Sequence, residues 1–222
     1  MILSLAIALV QPDISIRNLK ADGAFGTSAK VTLKRTILED GSVEWSEKTL
    51  WNKKTTWLDV RHYSKTGQIL TWTYDWKDDL GKGKSEDSSW AFSTEKDFLK
   101  VTQIRYKGAA SGASLLTKKV ATAYNNPSAL WWGGITPSVG DVANTLLFVP
   151  SWDVGTLAAV RVAYEADDTL MVGGVATKTH RVALKSAVRN ETWWLDDGGM
   201  PVKRVFWDTD EDRPNRVDLI EK

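Results

Sequence analysis

A few stretches hold residues whose types and spacing could do chemistry. Gly83-Lys84-Ser85 has the ending of a phosphate-binding loop, but that motif needs a glycine where Asp78 stands and a helix afterwards. A strand pattern follows instead, so no nucleotide site is expected. Asp208-Thr209-Asp210-Glu211-Asp212 begins like a calcium loop. Arg213-Pro214 then occupies the place of the glycine turn, and the bidentate glutamate is absent. It reads as a solvated acidic turn. The two histidines, His62 and His180, would need a carboxylate to hold zinc. Each is read onto a strand face with aliphatic residues, Leu58 and Val60 for His62, Val182 and Leu184 for His180. Both are therefore expected to be structural, and no metal site is predicted. Asn190-Glu191-Thr192 matches the glycosylation sequon, a triplet that also arises by chance.

Cysteine is absent, which removes disulfides, thiolate metal sites and cysteine nucleophiles. No Gly-x-Ser-x-Gly elbow exists. Nothing pairs a nucleophile with a base, so the chain is read as a non-enzyme without a cofactor.

Tryptophan is the remaining signal. The 222 residues include 12 Trp against 5 Tyr and 5 Phe. Trp131-Trp132 and Trp193-Trp194 are adjacent pairs, and neighbours in a strand point to opposite faces. One of Trp193 and Trp194 should therefore meet the core and the other the far side. Alternation also puts Leu70, Trp72, Tyr74 and Trp76 in one row. A bare aromatic row would be a sticky patch of several hundred Å^2, so it must be covered. The one non-strand segment with enough apolar bulk is Pro127 to Gly134, which carries Trp131 and Trp132. Those six residues are the candidate ligand-binding set: loosely covered, the row is a pocket for an apolar ligand, and tightly covered it is plain core.

The elements that would position them are almost all strands. Val172 to Asp208 reads as three antiparallel strands, Ala176–Val188, Glu191–Leu195 and Val202–Trp207. Asp196-Asp197-Gly198-Gly199 supplies the positive-φ residues that two-residue hairpins require. Earlier strands are expected at Lys30–Leu38, Val43–Trp51, Thr55–Tyr63, Gln68–Trp76, Ser89–Ser93, Phe98–Lys107 and Ala113–Tyr124, with turns at Asp40-Gly41 and Lys65-Thr66-Gly67. Pro12–Ser28 reads as a loop or a short edge segment, and Lys77–Ser89 as an exposed loop. Asn126 with Pro127 predicts a short helical turn through Trp132. Leu146–Val149, Ala158–Glu165, Thr169–Val172 and Asn215–Ile220 complete about a dozen strands. The fold class is all-β, an antiparallel meander curved into a half-barrel or open barrel. Residues 1–28 are divided off as a signal remnant and N-terminal loop, and 29–222 form a single domain.

Composition is ordinary, 42% hydrophobic and 26% charged, so a core can be built. Net charge is +1, which supplies no global attraction for nucleic acid. Met1 to Val10 is apolar and too short to span a bilayer. With Ala6-Ile7-Ala8 as a small-x-small cleavage pattern, it suits a secretory signal, so export to the periplasm or outside the cell is expected.

Gly173-Gly174-Val175 with the long strand after it, then Trp194-Leu195-Asp196-Asp197 and Gly199-Met200-Pro201-Val202-Lys203, resemble the end of exported β proteins of the LolA and LppX type. The resemblance covers about Pro137 to Ile220. It implies a curved antiparallel sheet closed on its open side by short helices, with acyl chains held in the concavity. The resulting expectation is an exported, non-enzymatic binding protein for an apolar or lipid-like ligand. The alternative is a structural or interaction module of a cell-envelope assembly, with an envelope protein as partner.

Overall fold

The structure, a computed structural model, describes residues 13–23, 27–51, 55–65, 67, 69–79, 85–95, 98–106, 111–118, 126–132, 137–149, 156–187, 189–207 and 214–220. The expectations for Met1–Val10, for the acidic turn at 208–212 and for Gly83-Lys84 lie outside the described residues.

Fourteen strands are present among the described residues: β1 (Asp13–Gly23), β2 (Ser28–Ile37), β3 (Val43–Trp51), β4 (Thr55–Tyr63), β5 (Ile69–Asp79), β6 (Ser85–Glu95), β7 (Phe98–Tyr106), β8 (Ser111–Lys118), β9 (Val142–Val149), β10 (Thr156–Val172), β11 (Val175–Ser186), β12 (Asn190–Leu195), β13 (Pro201–Trp207) and β14 (Arg216–Ile220). All join one antiparallel sheet, in the order β8-β7-β6-β5-β4-β3-β2-β1-β14-β13-β12-β11-β10-β9. Two meanders thus meet where the first and last strands pair, Leu19 opposite Ile220 and Gly23 opposite Arg216. The outer strands β8 and β9 leave the sheet open.

The chain passes from one outer strand to the other between residues 118 and 142, and on the way it forms a 3-10 turn at Pro127–Trp131. Asn126 caps this turn by accepting from the Ser128 amide at 3.0 Å, and proline fills its first position, as the sequence predicts. Among the described residues there is no α-helix, and no helix long and apolar enough to cross a membrane.

Contacts across the inner face prove the curvature. Neighbouring strands lie ~4.8 Å apart, so five steps along a flat sheet would separate β3 from β12 by roughly 24 Å. Yet the rings of Trp45 on β3 and Trp193 on β12 are 6.3 Å apart. The sheet therefore wraps round a core of Leu19, Val31, Leu33, Val43, Trp45, Val162, Val182, Leu184, Trp193 and Leu195.

Several boundaries differ from the sequence reading, each for a local reason. Residues 13–23, expected as part of a loop or a short edge segment, form the central strand β1, paired with β2. Its inward positions Leu19 and Ala21 are fully buried, but the apolar Ile14 and Ile16 stand on the outer face, so the apolar residues change parity along the strand and hide the pattern. Most of Lys77–Ser89, also read as a loop, extends β5 to Asp79 and begins β6 at Ser85. Ala158–Glu165 and Thr169–Val172 are one strand, β10, interrupted only by a bulge between Tyr164 and Ala166.

The turns use glycine where φ must be positive. Gly41 (φ 80°) and Gly199 (φ 76°) end three-residue loops, in which Gly41 N donates to Leu38 O and Gly199 N to Asp196 O. The loop after β12 is thus one residue longer than the two-residue hairpin expected. A two-residue turn does occur between β10 and β11, where Gly173 and Gly174 adopt φ 60° and 85°.

Candidate functional site

The candidate site is the concave inner face, which is layered along the strands. At one end lies an aromatic plug. Trp132 packs edge-on against Tyr63 with centroids 4.6 Å apart, and lies 6.2 Å from Trp45. Trp131 reaches the other wall, 5.5 Å from Tyr164 and 5.4 Å from His180. The 3-10 turn thus bridges β3–β4 and β10–β11. The Asp196–Gly199 loop folds against the same plug. Asp196 ion-pairs with Arg17, and the Gly198 carbonyl accepts from Arg35. A Cβ on Gly199 would sit 2.7 Å from the Trp131 Cβ, so glycine is required there for closeness as well as for φ.

Below the plug runs a belt of charge. Arg204, 1% exposed, donates to both Glu47 oxygens at 2.7 and 3.0 Å and to Asp218 at 2.5 and 3.0 Å. Arg216 closes the cluster on Asp218 at 2.7 and 2.9 Å. Next along the wall, Arg61 grips Asp59 with both prongs at 2.8 and 2.5 Å and lies over the Trp72 ring, 4.6 Å from its centroid. Arg189 pairs with Glu191, which also accepts from Trp193 Nε1 at 2.7 Å.

Burial alone would raise the Glu47 carboxyl. Arg204 and then Arg216 outweigh it and hold the group well below the usual carboxylate range. For Asp59 burial wins against Arg61, and its carboxyl is pushed up. Tyr63 is pushed up to about 12 by burial, with Arg61 opposing. The belt matches four carboxylates to four guanidiniums, which is what allows charge inside a protein.

Beyond the belt, toward the opposite end, Trp51 and Trp57 lie 5.7 Å apart, with the Arg216 guanidinium 5.5 Å from the Trp51 ring. Both rings are half-buried, and both indole N–H groups are buried without a hydrogen-bond partner among the described residues.

Of the six predicted binding residues, Trp72 is buried in the core, and Tyr74 is half-buried and packed against it. Trp131 and Trp132 sit in the plug. The side chain of Trp76 lies outside the described ones. Leu70 departs from the row, being 37% exposed while Ile69 is 4% exposed. The cause is a bulge: His62 pairs with Thr71 and Tyr63 with Ile69, so Leu70 is an extra residue and the alternation changes phase across it.

A second phase error concerns β4. Leu58 and Val60, read as the apolar side with His62, lie on the outer face. The inner face carries Trp57, Asp59, Arg61 and Tyr63. His62 accordingly lies within hydrogen-bond distance of the Ser42 hydroxyl, at 3.2 Å. His180 is inward as expected, held between Asp167 at 2.7 Å and Asp197 at 3.0 Å. No group of three or more metal-ligating side chains occurs among the described residues. Trp193 and Trp194 divide as predicted: Trp193 is buried inside, and Trp194 stands outside, donating to Asp168 at 2.9 Å.

Reading for hydrophobic rows missed the belt. Its signal was parity: Glu47 is spaced by two from Trp45 and Thr49, and Asp59 and Arg61 from Trp57 and Tyr63.

No protein-family model matches the chain, and no curated protein matches it. Among solved structures, a beta-barrel-like protein of the domain of unknown function DUF1849 from Brucella abortus aligns over 95% of this chain and 96% of its own, at 13% identity and a TM-score of 0.56. At that identity the likeness concerns the fold alone: the chain shares an all-β, barrel-like architecture with a protein of undetermined function.

Proposed function

We propose that the protein is an exported, non-enzymatic binding protein for a lipid-like amphiphile, held at the Trp51–Trp57 end of the concavity. One observation carries this reading: two adjacent indoles present apolar faces and buried N–H donors that lack acceptors among the described residues. A buried donor without a partner costs about 1–3 kcal/mol, which an ester, amide or carboxylate oxygen of a ligand would recover. The ring faces would take the ligand's apolar body, and Arg216 beside Trp51 favours an acceptor bearing negative charge. The Met1–Val10 run and the resemblance to LolA and LppX proteins support export and an acyl-chain ligand.

The test combines native mass spectrometry of protein purified without detergent with fatty-acid titration followed by Trp fluorescence. Co-purifying lipid or a saturable change is expected. Trp57→Phe keeps an aromatic ring and removes one donor, and should weaken binding by about threefold to tenfold. The carrier reading falls if no lipid co-purifies and no titration saturates.

The second reading, an interaction module of a cell-envelope assembly, is favoured by the outer strands β8 and β9, each with one neighbour in the sheet. A defined oligomer without ligand in the same native spectrum would select it.

A further inference from the structure

The longest hairpin runs past the sheet that anchors it. β9 pairs with β10 only from Thr156 to Ala163, and β12 pairs with β11 only from His180 to Lys185. From Ala166 to Val172 and from Val175 to Thr179, the two strands are hydrogen-bonded laterally only to each other among the described residues. The six steps from Ala166 to Val172, at ~3.4 Å each, make an arm of roughly 20 Å.

The base of the arm is fixed and the tip is apolar. At the base, Arg181 holds Asp168 at 3.2 Å, Trp194 donates to Asp168, and Thr179 is fully buried. No charged residue occurs between Thr169 and Thr177. Within that stretch Met171 is 70% exposed and Val175 66%, with Gly173, Gly174 and Ala176 exposed and Leu170 and Val172 half-buried. The side chains divide between both faces of the ribbon. Met171 and Ala176 are on one, and Leu170, Val172 and Val175 are on the other.

We infer that this hairpin tip is a membrane-insertion element that docks the protein on a zwitterionic lipid surface. A tip of nine residues offers on the order of a few hundred Å^2, well short of the ~800 Å^2 per partner of a standard protein interface. A protein groove would complement one face, whereas a tip apolar on both faces suits the isotropic acyl region of a bilayer. Lacking charge, the tip needs no ionic partner, and the roughly 10 Å from Leu170 to the turn matches the depth that interfacial elements reach. The inference does not rest on the proposed ligand.

The absence of cysteine allows one label per molecule. Val175→Cys, carrying an environment-sensitive fluorophore, is titrated with phosphatidylcholine vesicles beside a Thr32→Cys control on the outer face. Expected are a saturable blue shift and quenching by acyl-chain spin labels at the tip, with neither at the control. Met171→Asp with Val175→Asp should lower vesicle co-flotation about tenfold or more while leaving the melting temperature unchanged. The inference is overturned if the tip label stays water-like at saturating lipid, or if the double variant floats as the parent does. A blue shift that appears without lipid and grows with protein concentration also overturns it, by showing a second copy at the tip.

Discussion

Replacing Arg204 by methionine tests whether the inner belt is held by charge pairing. Methionine fills much of the same volume, so a cavity contributes little and the loss is electrostatic. The guanidinium is 1% exposed and its partner Asp218 is fully buried. Without it, Glu47 keeps Arg216 and the Thr49 hydroxyl, each at 3.4 Å, and Asp218 keeps its pairing with Arg216. Removing one partner of a buried pair costs about 3–5 kcal/mol, because a charge is left uncompensated. In a domain of this size, that corresponds to a fall of about 6–20 °C in Tm. Urea denaturation at pH 7 measures the free energy directly.

The pH dependence separates charge from packing. In the parent, Arg204 and Arg216 hold Glu47 well below the usual carboxylate range, so the stability it contributes is present above its unfolded value and is lost as pH falls through the folded value. In Arg204→Met the main opposing charge is gone, burial raises the carboxyl, and protonation then favours the folded state. The deficit against the parent should therefore shrink between pH 7 and pH 5. Adding Glu47→Gln should restore a large part of the loss, since Asp218 retains Arg216. A deficit below about 1 kcal/mol, or one that is equal at both pH values, would refute the electrostatic account.

Three further outcomes are expected. Gly199→Val should destabilise by more than about 1 kcal/mol, since it meets both a positive φ and the Trp131 side chain, while Gly198→Val should cost clearly less; equal urea midpoints would contradict the loop geometry. Ile69→Ala should cost about 2–5 kcal/mol and Leu70→Ala less than about 1, and the reverse order would remove the bulge from β5. Neither EDTA nor zinc should move the melting temperature, because His62 and His180 serve hydrogen bonds; a shift of several degrees on chelation would reveal a metal site.

What the sequence determined by itself is local. Period-two alternation and glycine-bearing turns placed most strands, because side chains must point alternately to two faces and only some residues tolerate positive φ. The 3-10 turn was legible for the same reason, with Asn126 and Pro127 acting within a few residues of each other. Tertiary structure decided which face is inside. On β4 the aliphatic face of Leu58 and Val60 lost to one bearing Asp59 and Arg61; parity with Trp57 and Tyr63 hinted at that face, but only partners from distant strands decide it. Those charges are buried because curvature brings Arg204 from four strands away onto Glu47, and pairing offsets the desolvation that would otherwise keep each in water. The β5 bulge is likewise a matter of register, set jointly by β4 and β5 rather than by the Leu70 row. Periodicity describes a strand against an assumed core, and here the core became known only once the sheet had closed round on itself far enough for opposite walls to touch.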